Sequence, residues 1–300
     1  MSTVSIPARD VRFPAALAAI HDPPHTLWVK GDLDALRAPC VAIVGSRAAS
    51  PYALEVARQL GADLARRNVT VVSGLARGVD SAAHRGALEA DGRTVAVFGC
   101  GVDVIYPPEH RALVERILER GALVSEFPLG TPPRREHFPQ RNRIISGLSL
   151  AVVIVEAAEG SGSLITADFA LEQGRAVLAV PGNVLGGRNY GAHALLRDGA
   201  KLVECADDIL EELPLGIRES GSGIGSAKES KNANIASQDP VLRSMDDGDA
   251  YDFDEIAERS GVDRMKLLPR LLELELAGAV RRVDGGRFMR FRPSTSLRTP

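Results

Sequence analysis

The densest group of residues that could hold a ligand lies in one short segment, residues 134–150. Guanidinium groups pair with phosphate oxygens, and the face of an aromatic ring stacks on any nucleic-acid base. Arginines around Phe138 therefore favour a polyanion with exposed bases as the ligand. The alternative, from these residues alone, is a solvated amphipathic helix start in which Phe138 packs locally. The arginines of this segment are Arg134, Arg135, Arg141 and Arg143.

Short apolar, β-branched runs recur through the middle of the chain, and helical patterns separate them. Continuous apolar runs, rather than alternating ones, are typical of strands covered on both faces. The sequence therefore predicts an α/β fold with a doubly wound, mostly parallel sheet. The predicted strands are residues 41–44, 69–72, 94–98, 122–124, 151–155, 176–180 and 201–203.

Loops rich in Gly and Ser follow nearly every predicted strand, as at residues 45–47, 73–78, 99–101 and 160–163. In doubly wound folds, ligands bind beyond the carboxyl ends of the strands. Backbone N–H groups at helix starts attract phosphate oxygens. Several such loops with arginines among them predict a surface for several phosphates, although any single loop is explained equally well by a tight turn.

Two common nucleotide-binding motifs are absent from the sequence. No G-x-x-x-x-G-K-[ST] occurs, and the first predicted strand is followed by GSRAAS rather than G-x-G-x-x-G. The second predicted strand ends at Val72-Ser73, with no carboxylate to hold a ribose. A P-loop ATPase and a dinucleotide-dependent dehydrogenase are therefore disfavoured.

Composition limits the class of protein further. The net charge of the 300 residues is -3, so affinity for nucleic acid must come from local patches. Cys40, Cys100 and Cys205 have no ligand-like spacing, which indicates neither a disulfide framework nor a metal site. The N-terminal residues lack a signal-peptide pattern, and no apolar run reaches the roughly 20 residues of a membrane span. We expect a cytoplasmic protein with no cofactor and no membrane contact.

The sequence predicts five consecutive regions. Residues 1–39, with Trp28 as a packing residue, form an N-terminal strap; residues 40–213 form the α/β domain; and residues 214–250 form a flexible linker. Residues 251–293, with two helices and a hairpin, predict a small winged-helix-like domain, and residues 294–300 are a tail.

The predicted winged-helix-like domain leaves two functions open. Arginines on the hairpin favour duplex DNA as a partner. The acidic residues 246–258 and Pro269, inside the second predicted helix, favour a protein partner at least as strongly. The hairpin arginines are Arg281, Arg282, Arg287 and Arg290.

Seven motifs, in this order and spacing, resemble a known family. They are VAIVGSR, VVSGLARGVDSAAHRGAL, VFGCGVDVIYPPEH, SEFPLGTPP, FPQRNRIISGLS, IVEAAEGSGSLITADFALEQGR and AVPGN. Residues 13–213 are in this respect similar to the DprA/Smf family, the DNA-processing proteins of bacterial natural transformation. Many members carry a further helical domain ahead of this part, for which residues 1–39 are too few.

The resemblance implies an extended Rossmann-like domain without enzymatic activity. Its implied partners are single-stranded DNA, which it protects and onto which it helps to load RecA, and a second copy of itself in a homodimer. The implied DNA-binding residues are Ser46, Arg47, Ser73, Gly74, Arg135, Phe138, Arg141, Asn142, Arg143, Gly160, Gly162 and Ser163.

The chemistry of these residues assigns them roles. Four arginines, Arg47, Arg135, Arg141 and Arg143, would clamp phosphates, while Phe138 would stack on a base. Ser46, Ser73, Gly74 and Ser163 would supply hydroxyl or backbone donors. Four phosphate contacts on a single strand predict a log–log salt slope of about -3.

Three other groups of residues could carry chemistry, and each has a simpler explanation. Asp80 and His84 could form a catalytic pair, but hydrogen bonds beside a helix start are favoured. Glu126 and Glu156 could act as acid and base, but positioning arginine or amide donors is favoured. Residues 189–193, NYGAH, have no identifiable partner and are interpreted as a helix entry.

The alternative function is a nucleotide-processing enzyme that resembles the phosphoribohydrolases. Those enzymes carry G-G-x-G-T-x-x-E, and the nearest match here, EGSGSLIT from Glu159, places Thr166 at the position of the general base. This substitution argues against the enzyme. A scaffold for partner proteins would leave the arginines and glycine loops unexplained.

Overall fold

A nine-stranded sheet organises the N-terminal unit of the computed structural model, which describes residues 2–214, 239–246, 248–276, 279–283 and 286–290. The strands are β1 (Thr3–Pro7), β2 (Thr26–Gly31), β3 (Cys40–Val44), β4 (Thr70–Ser73), β5 (Thr94–Val97), β6 (Ala122–Ser125), β7 (Ala151–Ile154), β8 (Ala176–Ala179) and β9 (Lys201–Leu202). Their order is β1-β2-β6-β5-β4-β3-β7-β8-β9. All neighbours from β6 to β9 are parallel.

Helices cover both faces of this sheet. They are α1 (Ala15–Ala18), α2 (Pro51–Arg66), α3 (Val79–Glu89), α4 (Arg111–Arg120), α5 (His137–Leu148), α6 (Gly162–Glu172), α7 (Tyr190–Arg197) and α8 (Ala206–Leu210). One apolar cluster joins the sheet to α1, α5 and α6, and a second joins it to α2, α3 and α8. Strands β3 to β7 are buried throughout, which is why they read as continuous apolar runs.

The predicted fold class is confirmed, and each of the seven predicted strands is present within two residues of its expected ends. Helix α2 begins as its sequence indicates. The Ser50 side chain accepts a hydrogen bond from the Ala53 backbone N–H, and Pro51 occupies the first turn. Such a capped start fixes where the loop after β3 ends.

Residues 1–39, expected to form a strap, contain two strands that the sequence did not predict. Strand β1 pairs antiparallel with β2, and β2 pairs antiparallel with β6. Leu27 and Val29 are buried, and Trp28 is half-buried against the apolar cluster beneath α4. Residues 1–39 therefore extend the sheet by two strands and do not form a strap over its surface.

The chain reverses its direction of travel across the sheet between β3 and β7. Strands β4, β5 and β6 follow one another on one side of β3, whereas β7, β8 and β9 follow on the other. In open α/β sheets the crevice at such a reversal is the usual ligand site. The loops after β3 and β7 meet there, where the Ser46 N–H donates to the Glu156 carbonyl over 2.7 Å.

The C-terminal unit is a separate small fold with its own core. Its elements are α9 (Pro240–Arg243), β10 (Ala250–Tyr251), α10 (Phe253–Ser260), α11 (Arg264–Leu276), β11 (Val280–Val283) and β12 (Arg287–Arg290). Strands β10, β12 and β11 form an antiparallel sheet in that order. The two predicted helices and the two predicted hairpin strands are confirmed, and Pro269 lies inside α11.

The boundary expected for the linker differs from the structure. Helix α9 and the first residue of β10 fall within residues 214–250, and Val241 and Leu242 are buried in the C-terminal core. Asp239 caps α9 by accepting from their backbone N–H groups. Residues 215–238 and the predicted tail lie outside the described residues. Within the described part of the chain, no helix has both the length and the apolar character that crossing a membrane requires.

Candidate nucleic-acid interface

The loops at the carboxyl ends of β3, β4 and β5 surround a small cleft. Because these strands are parallel neighbours, their ends meet at one edge of the sheet, and the start of α5 closes the cleft from above. The lining residues are Arg47, Gly74, Leu75, Ala76, Arg77, Tyr106, Pro107, Phe138 and Arg141. Four of the predicted DNA-binding residues, Arg47, Gly74, Phe138 and Arg141, thus come together around one opening.

Aromatic and cationic groups lie side by side at the rim of the cleft. The Phe138 and Tyr106 rings are tilted against each other at a centroid distance of 5.5 Å. The Arg47 guanidinium lies 5.7 Å from the centre of the Phe138 ring. Arg47 is exposed and Tyr106 is 43% exposed, so both a cation and a ring face are open to solvent. This arrangement suits a phosphate and an adjacent base.

Arg141 lies beneath the cleft and does not face solvent. It is 4% exposed, and its Nη1 donates to the Gly74 carbonyl over 2.8 Å and to the Val97 carbonyl. A Cβ atom at Gly74 would lie 2.5 Å from Arg141 Nη2, so the close approach requires glycine. Burial lowers the pKa of Arg141 to about 10, and the nearby Asp80 carboxylate opposes that shift. Arg141 therefore braces β4 against β5, and its role as a phosphate clamp stays a prediction.

Buried side chains also fix the loop that follows β4. The Asp80 carboxylate accepts from the Gly74 N–H over 3.0 Å and the Ala76 N–H over 3.4 Å. His110 Nδ1 lies 2.9 Å from the Leu75 carbonyl. Leu75 has a φ of 56°, an uncommon left-handed conformation for a branched residue, held by these contacts. The floor of the cleft is thus a preorganised backbone.

Arg143 is likewise committed to protein partners. It is 7% exposed and forms two hydrogen bonds to the Glu126 carboxylate, at 2.9 and 2.8 Å, and one to Asp22 at 2.9 Å. A bidentate pair of this kind is strong and geometrically specific. It joins α5 to the end of β6 and to the N-terminal segment. Arg143 therefore has a structural role, and its predicted role as a phosphate clamp likewise stays a prediction.

The predicted serine donors divide in the same way. Ser73 is fully buried, and its hydroxyl donates to the Ile43 carbonyl over 2.6 Å, so it links β4 to β3. Ser46 is half-buried beside Arg47 at the rim. Arg135 is exposed just before α5, on the same approach to the cleft.

The loop after β7 reaches the site through Asn142. Its Nδ2 donates to the Gly162 carbonyl over 3.1 Å, which joins α5 to the start of α6. Gly160 and Gly162 are exposed. Ser163 is buried, and its hydroxyl lies 2.8 Å from that of Ser161, the residue that caps α6. The 160–163 loop thus offers backbone and the start of α6 rather than the Ser163 hydroxyl.

The simpler explanations of the two predicted acid–base groups fit the structure. Glu126 binds Arg143, and Glu156, 2% exposed, accepts from the Ser50 N–H and hydroxyl. His84 Nδ1 lies 2.6 Å from Thr94 Oγ1. Burial lowers the pKa of His84 to about 3, so the ring is neutral. None of these groups faces the cleft as an acid or a base.

Sequence reasoning missed three residues that shape this site, namely Tyr106, Asp80 as a loop anchor, and His110. Tyr106 and His110 belong to the motif VFGCGVDVIYPPEH. Only the glycines of this motif, at residues 99–101, entered the prediction. An aromatic directly before Pro107-Pro108 at a predicted ligand edge was the available signal for Tyr106. No spacing rule indicated that His110 would meet Leu75.

In the C-terminal unit, the hairpin arginines have contacts of their own. Arg290 donates to the Leu242 carbonyl over 2.6 Å and so closes the end of α9. Arg282 lies over the Phe288 ring. Helix α11 exposes two leucines, Leu268 and Leu272, as well as the cations Arg264 and Lys266. These features leave the choice between duplex DNA and a protein partner open for this unit.

Fold and site together define a class, the Rossmann-like α/β proteins that carry an arginine- and aromatic-rimmed cleft beyond the strand ends and, later in the chain, a winged-helix unit. The chain belongs to the DprA/Smf family. The family model described as DNA recombination-mediator protein A matches residues 5–214, and the DprA winged helix domain model matches residues 226–286.

Named relatives agree with this assignment. Protein Smf of Escherichia coli (strain K12) is 44% identical over 299 residues, which cover 98% of this chain and 79% of that protein. DNA processing protein DprA of Streptococcus pneumoniae is 44% identical over 200 residues, covering 67% of this chain and 71% of that one. The resemblance inferred from the seven motifs is confirmed.

Two solved structures share the fold. The X-ray structure of DprA from Streptococcus pneumoniae has a TM-score of 0.68 at 42% identity and covers 72% of this chain and 76% of that one. DNA processing protein A from Helicobacter pylori has a TM-score of 0.63 at 29% identity, covering 70% of this chain and 95% of that one. The Helicobacter pylori structure describes that protein's single-stranded DNA binding mode.

Proposed function

We propose that this chain binds single-stranded DNA at the cleft beyond β3, β4 and β5. The observation that carries the proposal is the exposed Arg47 guanidinium beside the Phe138 and Tyr106 rings. A cation next to a ring supplies a phosphate contact and a stacking face, which together tolerate any base sequence. The single-stranded DNA binding of the Helicobacter pylori relative supports the same ligand here.

Burial of two of the four arginines reduces the salt dependence expected for DNA binding. Each phosphate contact on a single strand contributes about 0.7 to the log–log salt slope. Of the four arginines first assigned to phosphates, Arg47 and Arg135 are exposed, whereas Arg141 and Arg143 are buried and hydrogen-bonded. Two contacts give a slope of about -1.4, and four would give about -2.8. The structure supports the smaller slope.

The test is fluorescence-anisotropy binding of labelled oligo-dT across a salt series, with matched duplex as competitor. The wild type is compared with Arg47→Ala and Phe138→Ala. Arg66→Ala is the matched control, because Arg66 is an exposed arginine at the C-terminal end of α2, on the opposite edge of the sheet. We expect preference for single strands and loss in the two cleft variants alone. Equal binding by all variants would remove the cleft from the DNA site.

The second part of the proposal is that the protein acts as a recombination mediator. We infer that the bound strand is delivered to RecA, that the protein protects incoming DNA in natural transformation, and that it acts as a homodimer in the cytoplasm. The family description as a recombination mediator supports this role. The test is RecA filament formation on single strands covered with a single-strand-binding protein. Wild type should shorten the lag, and Arg47→Ala should not.

We infer that binding, not catalysis, is the activity of the cleft. The carboxylates considered as acid and base, Glu126 and Glu156, are held by Arg143 and Ser50. Thr166, at the position of the phosphoribohydrolase base, is buried. Release of free base from nucleoside monophosphates by the purified protein, lost in Glu126→Gln or Glu156→Gln, would favour the enzyme instead.

A further inference from the structure

The loop after β8, residues 181–190, exposes a group of large side chains that the cleft does not use. Leu185 is 76% exposed and Tyr190 is 51% exposed. Tyr190 is the first residue of α7 and belongs to the segment NYGAH, for which the sequence offered no partner. Because β8 is parallel to β7, this loop leaves the sheet at the same edge as the cleft.

Hydrogen bonds tie this loop to the loop that carries Arg47. Arg188 Nη1 donates to the Ala48 carbonyl over 2.8 Å. Near the other end of the loop, the Tyr52 hydroxyl donates to the Pro181 carbonyl over 3.1 Å. The 181–190 loop is therefore anchored directly beside the rim cation of the cleft.

The start of α7 is anchored on its other side to the loop after β7. The Gly191 and Ala192 N–H groups donate to the Ala157 carbonyl over 2.9 and 3.2 Å. A Cβ atom at Gly191 would lie 2.8 Å from the Ala158 carbonyl oxygen, so this approach requires glycine. The residues that directly follow Tyr190 are therefore fixed against the loop that leads from β7 into α6.

We propose that Tyr190 is a second stacking platform for the same single strand, so that the DNA path runs from Phe138 past Arg47 and Arg188 to Tyr190. The inference rests on the proposed function of the cleft. Exposed cations along the path suit phosphates, and an exposed ring at its end suits a base of any sequence. The ligand is thus a single strand several nucleotides long.

The sheet sets the length of that strand. Phe138 packs against Gly99, just past the end of β5, and Tyr190 follows β8. The order β5-β4-β3-β7-β8 separates them by four strand spacings, or about 19 Å at about 4.8 Å each. At the stacked spacing of about 3.4 Å per nucleotide, the strand must be roughly six or seven nucleotides long to place a base on each ring.

The experiment is a length series of labelled oligo-dT, from about 2 to about 12 nucleotides, bound to wild type, Tyr190→Ala and Tyr190→Phe. Tyr190→Ala should weaken binding of strands longer than about six nucleotides about tenfold and leave the shortest strands unchanged. Tyr190→Phe keeps the ring and should bind as wild type. Arg197→Ala, at the far end of α7, is the control for changes in helix charge.

A Tyr190→Trp variant gives a direct signal from the site. Its indole fluorescence, corrected for Trp28 with the wild type, should be quenched by long strands and not by strands too short to reach it. Sedimentation of each variant checks that its oligomeric state matches the wild type.

Each contrary result has a distinct meaning. Tyr190→Ala binding every length as wild type overturns the second platform while the cleft stands. An equal loss at every length, with altered sedimentation, overturns it in favour of a protein contact at Tyr190. Absence of binding by the wild type at any length removes the proposed function and this inference together.

Discussion

Two pairs of arginines near the cleft have opposite environments. Arg47 and Arg135 are exposed at the approach to the cleft, whereas Arg141 and Arg143 are buried beneath it. The exposed pair can exchange water for phosphate at little cost. The buried pair is already saturated by carbonyls and carboxylates. A run of arginines beside a ligand site therefore has two separate tasks, one toward the ligand and one toward the protein.

Helix geometry explains how neighbouring arginines become separated. Successive helical residues are turned by about 100°, so positions two apart point to nearly opposite sides. In α5, Arg141 points toward the ends of β4 and β5, and Arg143 points toward Glu126 and Asp22. Both sides are covered by protein, so the helix buries both cations. The following predictions test whether this division of tasks is real.

The largest effect is expected from Arg141→Met. It removes charged hydrogen bonds to the Gly74 and Val97 carbonyls and leaves the buried Asp80 carboxylate without its neighbouring cation. We expect a loss of about 3 kcal/mol in the free energy of unfolding, measured by urea denaturation. DNA affinity should fall as the 74–76 loop loosens.

The salt dependence of the residual binding separates the two tasks for Arg141. A brace leaves the log–log slope unchanged, whereas a phosphate clamp lowers it by about 0.7. Arg141→Lys, which keeps the charge but not the fork of donors, is the matched variant. If the Arg141→Met protein is stable and its log–log salt slope is reduced, Arg141 contacts a phosphate.

The second effect is expected from Phe138→Ala at the rim. Loss of a stacking ring costs about 2 kcal/mol of binding, or roughly 30-fold in affinity, because the stack on one base disappears. The salt slope should stay that of the wild type, since no charge is removed. Anisotropy titrations with oligo-dT measure both quantities, and Phe138→Tyr is the control that keeps a ring. Unchanged affinity in Phe138→Ala would show that the ring only packs.

Arg47→Ala should cost less affinity than the ring but change the salt slope. We expect about a tenfold loss and a reduction of the slope by about 0.7, because one phosphate contact is removed. Arg143→Met, matched in charge change, should leave the slope as it is and lower stability instead. Comparing the salt slopes of the two variants therefore tests whether the exposed arginine binds phosphate and the buried one does not.

The smallest effect is expected in the pH dependence of stability, through the buried His84. The pKa of His84 is about 3 in the folded chain, because burial disfavours its charge, against about 6.5 when unfolded. Between these values only the unfolded chain takes up the proton, so stability falls as the pH drops below about 6.5.

Between pH 7 and 5.5 we expect His84 to account for about 1 kcal/mol of lost stability. Urea denaturation of the wild type and His84→Gln at both pH values measures it. The variant should be less stable overall but should lose less on acidification. An equal loss in both proteins would mean that His84 does not carry this dependence.

The sequence by itself determined the seven central strands, the mostly parallel character of their sheet and the family, but not the two N-terminal strands or the strand order. Buried strands read as continuous apolar runs whatever surrounds them, and capped starts such as Ser50-Pro51 are written in adjacent residues. It also brought Arg47, Gly74 and Phe138 to one edge, because parallel strands place their following loops together. The alternation in residues 26–31 was too short to reveal β2 as a strand of the sheet.

Only the tertiary structure decided what each polar side chain does. Arg135 and Arg143 are the same residue type in one segment, yet the second is enclosed by Asp22 and Glu126, which lie 121 and 17 positions away. Likewise, the partner of Ser73 is the Ile43 carbonyl in a neighbouring strand. Burial and hydrogen-bond partners depend on contacts between distant parts of the chain, and no local pattern records them.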